Sequence, residues 1–259
     1  MRMMKKVLGT VTVLALSVSL LAGCGSTAAS PVSSAASTAA ESTTSSVVSE
    51  TTSAAADENE AAAAQLLNDL TGSYQELWPV ILADEYKQTW LDDCTALVGE
   101  ENAEAAFEKL SSMVTSDVYG EDAVEAYANG GGAYFCGFTN SLATLTFDGE
   151  TSTISGTDKD GNVLFSHTYH YIGMEPVHGL YEFESDDADS GEFTYFFLAP
   201  DTSAETYHIE FRYGSDAEAL SQYDAGEYAY WVASGISTDC DQTMIDNCIE
   251  LFCTENLAG

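Results

Sequence analysis

At Gly130-Gly131-Gly132 the hydrophobic rhythm of the chain changes, and that change constrains the fold more than any other feature. Before it, apolar residues recur at helical spacing: Leu66, Leu67 and Leu70, then Trp90, Leu91 and Leu97, then Phe107, Leu110, Met113 and Val114. After it the period is two. Ser141 to Phe147, Ser152 to Gly156 and Val163 to Ile172 read as strands, with Asp148-Gly149 and Asp160-Gly161 as turns. Leu180 to Glu184, Phe193 to Leu198 and Thr206 to Tyr213 continue the meander. Six sequential strands favour a closed or nearly closed antiparallel barrel. Asp216 to Tyr223 reads as helical, and Met244, Ile245, Cys248, Ile249 and Phe252 form the stripe of a last helix capped by Thr238 or Asp239. The order helices, strands, helix predicts an α+β fold.

The first part of the chain has a different character. Arg2, Lys5 and Lys6 precede an apolar run from Val7 to Leu21, which reads as an export signal over 1–23. The run is shorter than the roughly 20 residues a membrane-spanning helix needs. Leu21-Ala22-Gly23-Cys24 resembles the lipobox of bacterial lipoproteins, which implies Cys24 as a lipidated N-terminus and an extracytoplasmic chain held to the membrane by its lipid alone. Residues 24–56, almost wholly Ser, Thr, Ala and Val, read as a flexible tether, and 57–259 as one domain.

The formal charge of the 259 residues is −35, and the leader holds three of the seven basic residues and none of the 42 acids. Four basic residues against 42 acids remain, a charge of −38, which excludes nucleic acid as a partner. There is no Gly-x-Ser-x-Gly elbow, Gly-rich phosphate loop or His-Glu-x-x-His helix, so the expectation is a binding protein and not an enzyme. Beyond Cys24, the five cysteines Cys94, Cys136, Cys240, Cys248 and Cys253 contain no Cys-x-x-Cys, and read as structural thiols or one disulfide whose pairing spacing does not give.

The segment from Tyr207 to Gly214 concentrates the chemistry. Tyr207, Ile209, Phe211 and Tyr213 alternate with His208, Glu210 and Arg212, so a strand here carries an apolar face and a face with an imidazole, a carboxylate and the one arginine after the leader. Two readings of that polar face stand. Glu210 and Arg212 form an ion pair inside the barrel with His208 beside them, or His208 and Glu210 clamp a divalent metal ion with a third ligand from elsewhere. His170 and His178 are the candidates for that third place, while His167 and His170, three apart on a strand, face opposite sides.

Three blocks of the chain resemble the ZinT (YodA) metal-binding family: Leu67 to Gln75 followed by Trp78-Pro79, Gly179 to Glu184, and Tyr207 to Leu220 with Tyr228, Tyr230 and Trp231. The resemblance runs in order from Leu66 to Phe252. It implies a lipocalin-like (calycin) barrel with an N-terminal helical part and a C-terminal helix, zinc as the bound ion, and a role in buffering zinc or delivering it to a metal ABC importer. In that family two histidines one residue apart on the closing strand join a third on the preceding strand. Here they fall on His208, on Glu210 and near Phe196 or Phe197. An alternative of another class is a surface lipoprotein that has lost the metal and binds a small organic ligand or a protein at a barrel mouth rich in aromatic rings.

Overall fold

The structure, a computed structural model, describes residues 47–199, 206 and 208–258, with side chains from residue 58 onward. The leader with Cys24, the tether up to residue 46 and Tyr207 lie outside the described residues. Helix α1 spans Val47–Asp69, beginning ahead of the boundary expected at Asp57. It leads through a short turn into strand β1, Gly72–Glu76, and then without a loop into α2, Leu77–Ile81. Helices α3 (Lys87–Val98), α4 (Ala103–Ser112) and α5 (Glu121–Ala128) follow.

The remaining strands are β2 (Thr144–Asp148), β3 (Thr153–Thr157), β4 (Val163–Met174), β5 (Tyr181–Ser185), β6 (Tyr195–Leu198), β7 (His208–Gly214) and β8 (Ala233–Ser237). The four-residue helix α6 (Ala217–Leu220) lies between β7 and β8, and α7 (Gln242–Leu257) ends the fold. The eight strands form one closed antiparallel barrel in sequence order. Among the described residues no helix is long and apolar enough to cross a membrane.

The α+β barrel expected from the sequence is present, with two strands that periodicity did not find. β1 lies in the region read as helical, and β8 reads Ala-Ser-Gly-Ile-Ser, too short and small-residued to show an alternation. Both take their strand form from neighbours on two sides. β1 pairs with β2 through Tyr74 opposite Leu145 and with β8 through Gln75 opposite Ile236, and that second ladder closes the sheet. α7 is capped by Asp241, whose Oδ1 accepts the Met244 N–H at 3.0 Å, in place of the expected Thr238 or Asp239. α6 starts where expected, with Asp216 accepting the Ala219 N–H.

Two apolar cores lie on opposite sides of the barrel wall. The inner core takes Tyr74, Phe147, Ile154, Phe165, Phe183, Phe196, Phe211 and Tyr213, all buried, one or two from nearly every strand. Their rings fill the barrel: Phe196 stands 5.4 Å from Tyr169 edge to face and 5.4 Å from Tyr213. The outer core packs α2, α3, α4 and α7 against β8 through Trp78, Ile81, Trp90, Leu110, Ile245 and Ile249 with Ile236 of the wall. The end of α1 rests on the barrel so closely that a Cβ on Gly149, in the β2–β3 turn, would stand 2.4 Å from Asn68 Cα.

Where α3 meets α7 the acidic composition has a cost. Burial, and then the neighbouring carboxylates of Glu250, Asp246 and Asp92, hold Asp93 above the usual carboxylate range. Its Oδ2 is buried without a hydrogen-bond partner among the described residues. An acid whose pKa is raised by folding favours the folded state while protonated, and that contribution is lost as pH rises through the raised value. Asp93→Asn therefore raises the thermal midpoint at neutral pH, by about 2 °C after solvent screening, and the advantage vanishes below the ordinary carboxylate range. Melting curves of both proteins across pH check this.

Candidate metal site between the barrel and the last helix

The alternation of β7 assigns its two faces. Ile209, Phe211 and Tyr213 belong to the inner core, so His208, Glu210 and Arg212 project from the outside of the barrel. This corrects one expectation: the polar face lies under the helical layer and not inside the barrel. Within the sheet His208 stands opposite Ile236 and Glu210 opposite Ser234, both on β8.

His208 and Glu210 line a cleft of about 30 Å³, walled by Leu77 and Trp78 of α2 and by Cys248, Leu251, Phe252 and Glu255 of α7. That volume is enough for a water-sized or ion-sized occupant. The α7 residues are spaced three, four and seven apart, so they share one helical face. That spacing was available in the sequence, but Cys248 and Phe252 read there as an ordinary apolar stripe, and Glu255 was one acid among many.

The polar groups around the cleft are tied to the wall. Thr206 Oγ1 lies 2.7 Å from His208 Nδ1. The Cys248 thiol donates to the Thr206 carbonyl at 3.2 Å, and burial, with Cys240 nearby, pushes its pKa up to about 12. Cys136, on the segment that follows the glycine run, is buried; burial first and then the Glu210 carboxylate hold its thiol well above the usual range. Both thiols are therefore protonated at neutral pH as the structure stands.

Arg212 does not compete for Glu210. Its guanidinium donates to the carbonyls of Leu220, Gln222 and Tyr228, and its Cζ lies 4.2 Å from the centre of the Tyr223 ring. No ion pair joins it to Glu210 among the described residues. The fully buried Arg212 instead pins the stretch between β7 and β8 to the barrel wall.

The other histidines are dispersed. His170 Nδ1 lies 2.7 Å from Asp186 Oδ1 on the solvent side of β4, and His167 Nδ1 lies 2.8 Å from Asp187 Oδ2. His178 packs its ring on Tyr223, centroids 3.7 Å apart, with Nδ1 3.5 Å from Glu175 Oε2. Neither His170 nor His178 lines the cleft. Among the described residues no group of three or more His, Cys, Asp or Glu side chains is arranged to hold a metal ion. Phe196 and Phe197, the positions of the family's third histidine by the resemblance, are both fully buried rings, and Phe196 belongs to the barrel interior.

No family model matches the chain, and no curated protein does. Comparison with solved structures finds a similar barrel. The chain is similar to a ZinT-like domain. That domain is the Zn(II)-bound ZinT-like domain of Streptococcus pneumoniae AdcA, 15% identical, with 71% of this chain and 89% of that one covered and a TM-score of 0.45. A second is Zn(II)-bound AdcA from the same organism, 14% identical, covering 72% of this chain and 35% of that one at a TM-score of 0.42. The chain thus spans about a third of the longer AdcA chain. Zinc is a property of those two structures; the account of this chain's site rests on its own residues.

Replacing Arg212 by Met leaves the three carbonyls it serves without a donor in a buried setting, and is expected to destabilise the fold by about 3 kcal/mol. Urea unfolding of Arg212→Met measures that loss, and a variant as stable as the parent would show that the guanidinium is not the anchor of this stretch.

Proposed function

We propose that this chain is an extracytoplasmic binding protein, anchored through Cys24, for a divalent metal ion, with zinc as its first cargo, which it buffers or passes to a metal importer. The observation that carries the reading is that His208 and Glu210, one residue apart on β7, open side by side into one ion-sized cleft. An imidazole nitrogen and a carboxylate oxygen suit zinc, and the cleft has room for an ion. In this reading His208 supplies a ring nitrogen and Glu210 an oxygen, with Thr206 holding the imidazole through Nδ1. Glu255 of α7 lines the same cleft, but among the described residues no third side chain is arranged with His208 and Glu210 to hold an ion.

The chain's 42 acids raise the local concentration of cations around any such site. No nucleophile-base pair enters this reading, which is one of binding and not of catalysis. The alternative of an organic ligand in the barrel has the packed rings of Phe147, Phe183, Phe196, Phe211 and Tyr213 against it.

Calorimetric titration of the purified chain with zinc tests the reading. One ion is expected to bind with a dissociation constant on the order of 1 μM, as befits a set with a single imidazole, and His208→Ala and Glu210→Gln each weaken it at least about tenfold. His170→Ala leaves binding unchanged. Absence of saturable zinc binding by the parent chain overturns the proposal.

A further inference from the structure

Cys94 on α3 and Cys253 on α7 face each other across the outer core, with their sulfurs 3.9 Å apart and both side chains fully buried. Trp90 lies one turn before Cys94, Phe252, beside Cys253, packs edge to face on Trp90 at 6.0 Å, and the Asp93 carboxylate is the charged neighbour of both thiols. Their situation differs from that of Cys248, which spends its S–H on the Thr206 carbonyl. Two thiols in contact on separate helices need only side-chain rotation and a small approach to reach the 2.05 Å of a disulfide.

We propose that Cys94 and Cys253 are a disulfide-forming pair that staples α3 to α7. The oxidant is a disulfide donor of the glutathione or dithiol-oxidase class. One thiolate attacks a sulfur of the donor to give a mixed disulfide, releasing the first donor thiol. The second cysteine then displaces the other donor thiol, so that one S–S bond forms, one breaks, and the two cysteine protons end on the two released thiols. Burial holds both cysteine pKa values above the usual thiol range, so the exchange takes place during folding or on local opening of α7, before the pair is sealed.

The bridge closes a long loop that contains seven of the eight barrel strands, β2 to β8, and a cross-link restricts the unfolded chain more the longer the loop it closes. It also fixes the helix whose adjoining face, Cys248, Leu251, Phe252 and Glu255, is one wall of the ion-sized cleft. The inference is independent of which ion, if any, the cleft takes.

The full chain is refolded in a buffer of oxidised and reduced glutathione, denatured, alkylated and mapped by mass spectrometry, with no metal present. The oxidised sample is expected to take up two fewer alkyl groups than a reduced control, with the peptides of Cys94 and Cys253 joined. Its thermal midpoint is expected to lie on the order of 10 °C above that of the reduced protein. In Cys94→Ala that difference between oxidised and reduced samples disappears. A bridge through any other pair, no bridge after oxidative refolding, or a redox-dependent midpoint that persists in Cys94→Ala overturns the proposal. Should Cys94→Ala fail to fold, the peptide map of the parent chain decides alone.

Discussion

The ladder between β1 and β8 is the contact on which the rest of the structure depends. It joins Tyr74, Gln75 and Glu76 to Ser237, Ile236 and Gly235, and turns an open meander into a barrel with no exposed edge between its first and last strands. Because α2 follows β1 without a loop, the same ladder sets Leu77 and Trp78 against the outside of the wall. Glu76 reinforces the corner by accepting the Phe138 N–H at 2.6 Å. β8 then leads through a short turn to the Asp241 cap, so both helices that wall the cleft are hung from the two strands of the closing ladder.

Closure also decides what the polar face of β7 is for. A barrel of eight short strands is filled by its own side chains, and here aromatic rings take that space. His208, Glu210 and Arg212 are therefore turned outward, where two different solutions to a buried polar group appear on one strand. Arg212 has its charge spread over three backbone carbonyls and a tyrosine ring, a structural arrangement that holds the guanidinium's two terminal nitrogens. His208 and Glu210, one turn of the pleat away, sit where the helical layer leaves an ion-sized opening.

Much of this was legible in the residues. The strands that alternate strongly, β4 and β7, show period two in their residues, and α7 shows its apolar stripe. β1 and β8 do not, because five residues rich in Gly and Ser carry too little side-chain signal and are held as strands by their neighbours. The pairing of His208 with Glu210 follows from strand geometry alone. Which side of the sheet they face does not, since that depends on how α2 and α7 pack on the closed wall, a tertiary fact with no local signature. For the same reason His170 and His178 were reasonable candidates by type, although each lies with an acid of its own, Asp186 and Glu175, away from the cleft. That Glu255 of α7 lines the same cleft as His208 and Glu210 is likewise a tertiary fact with no local signature.

The central claim is that the outward face of β7, together with the last helix, forms the ion site. Anomalous diffraction at the zinc absorption edge from crystals soaked in zinc tests it most directly. The account predicts a single strong peak in the cleft, bonded to His208 and Glu210 at about 2.0 to 2.2 Å. A peak at His170 and Asp186 or at His178 and Glu175, with the β7 cleft empty, would contradict it.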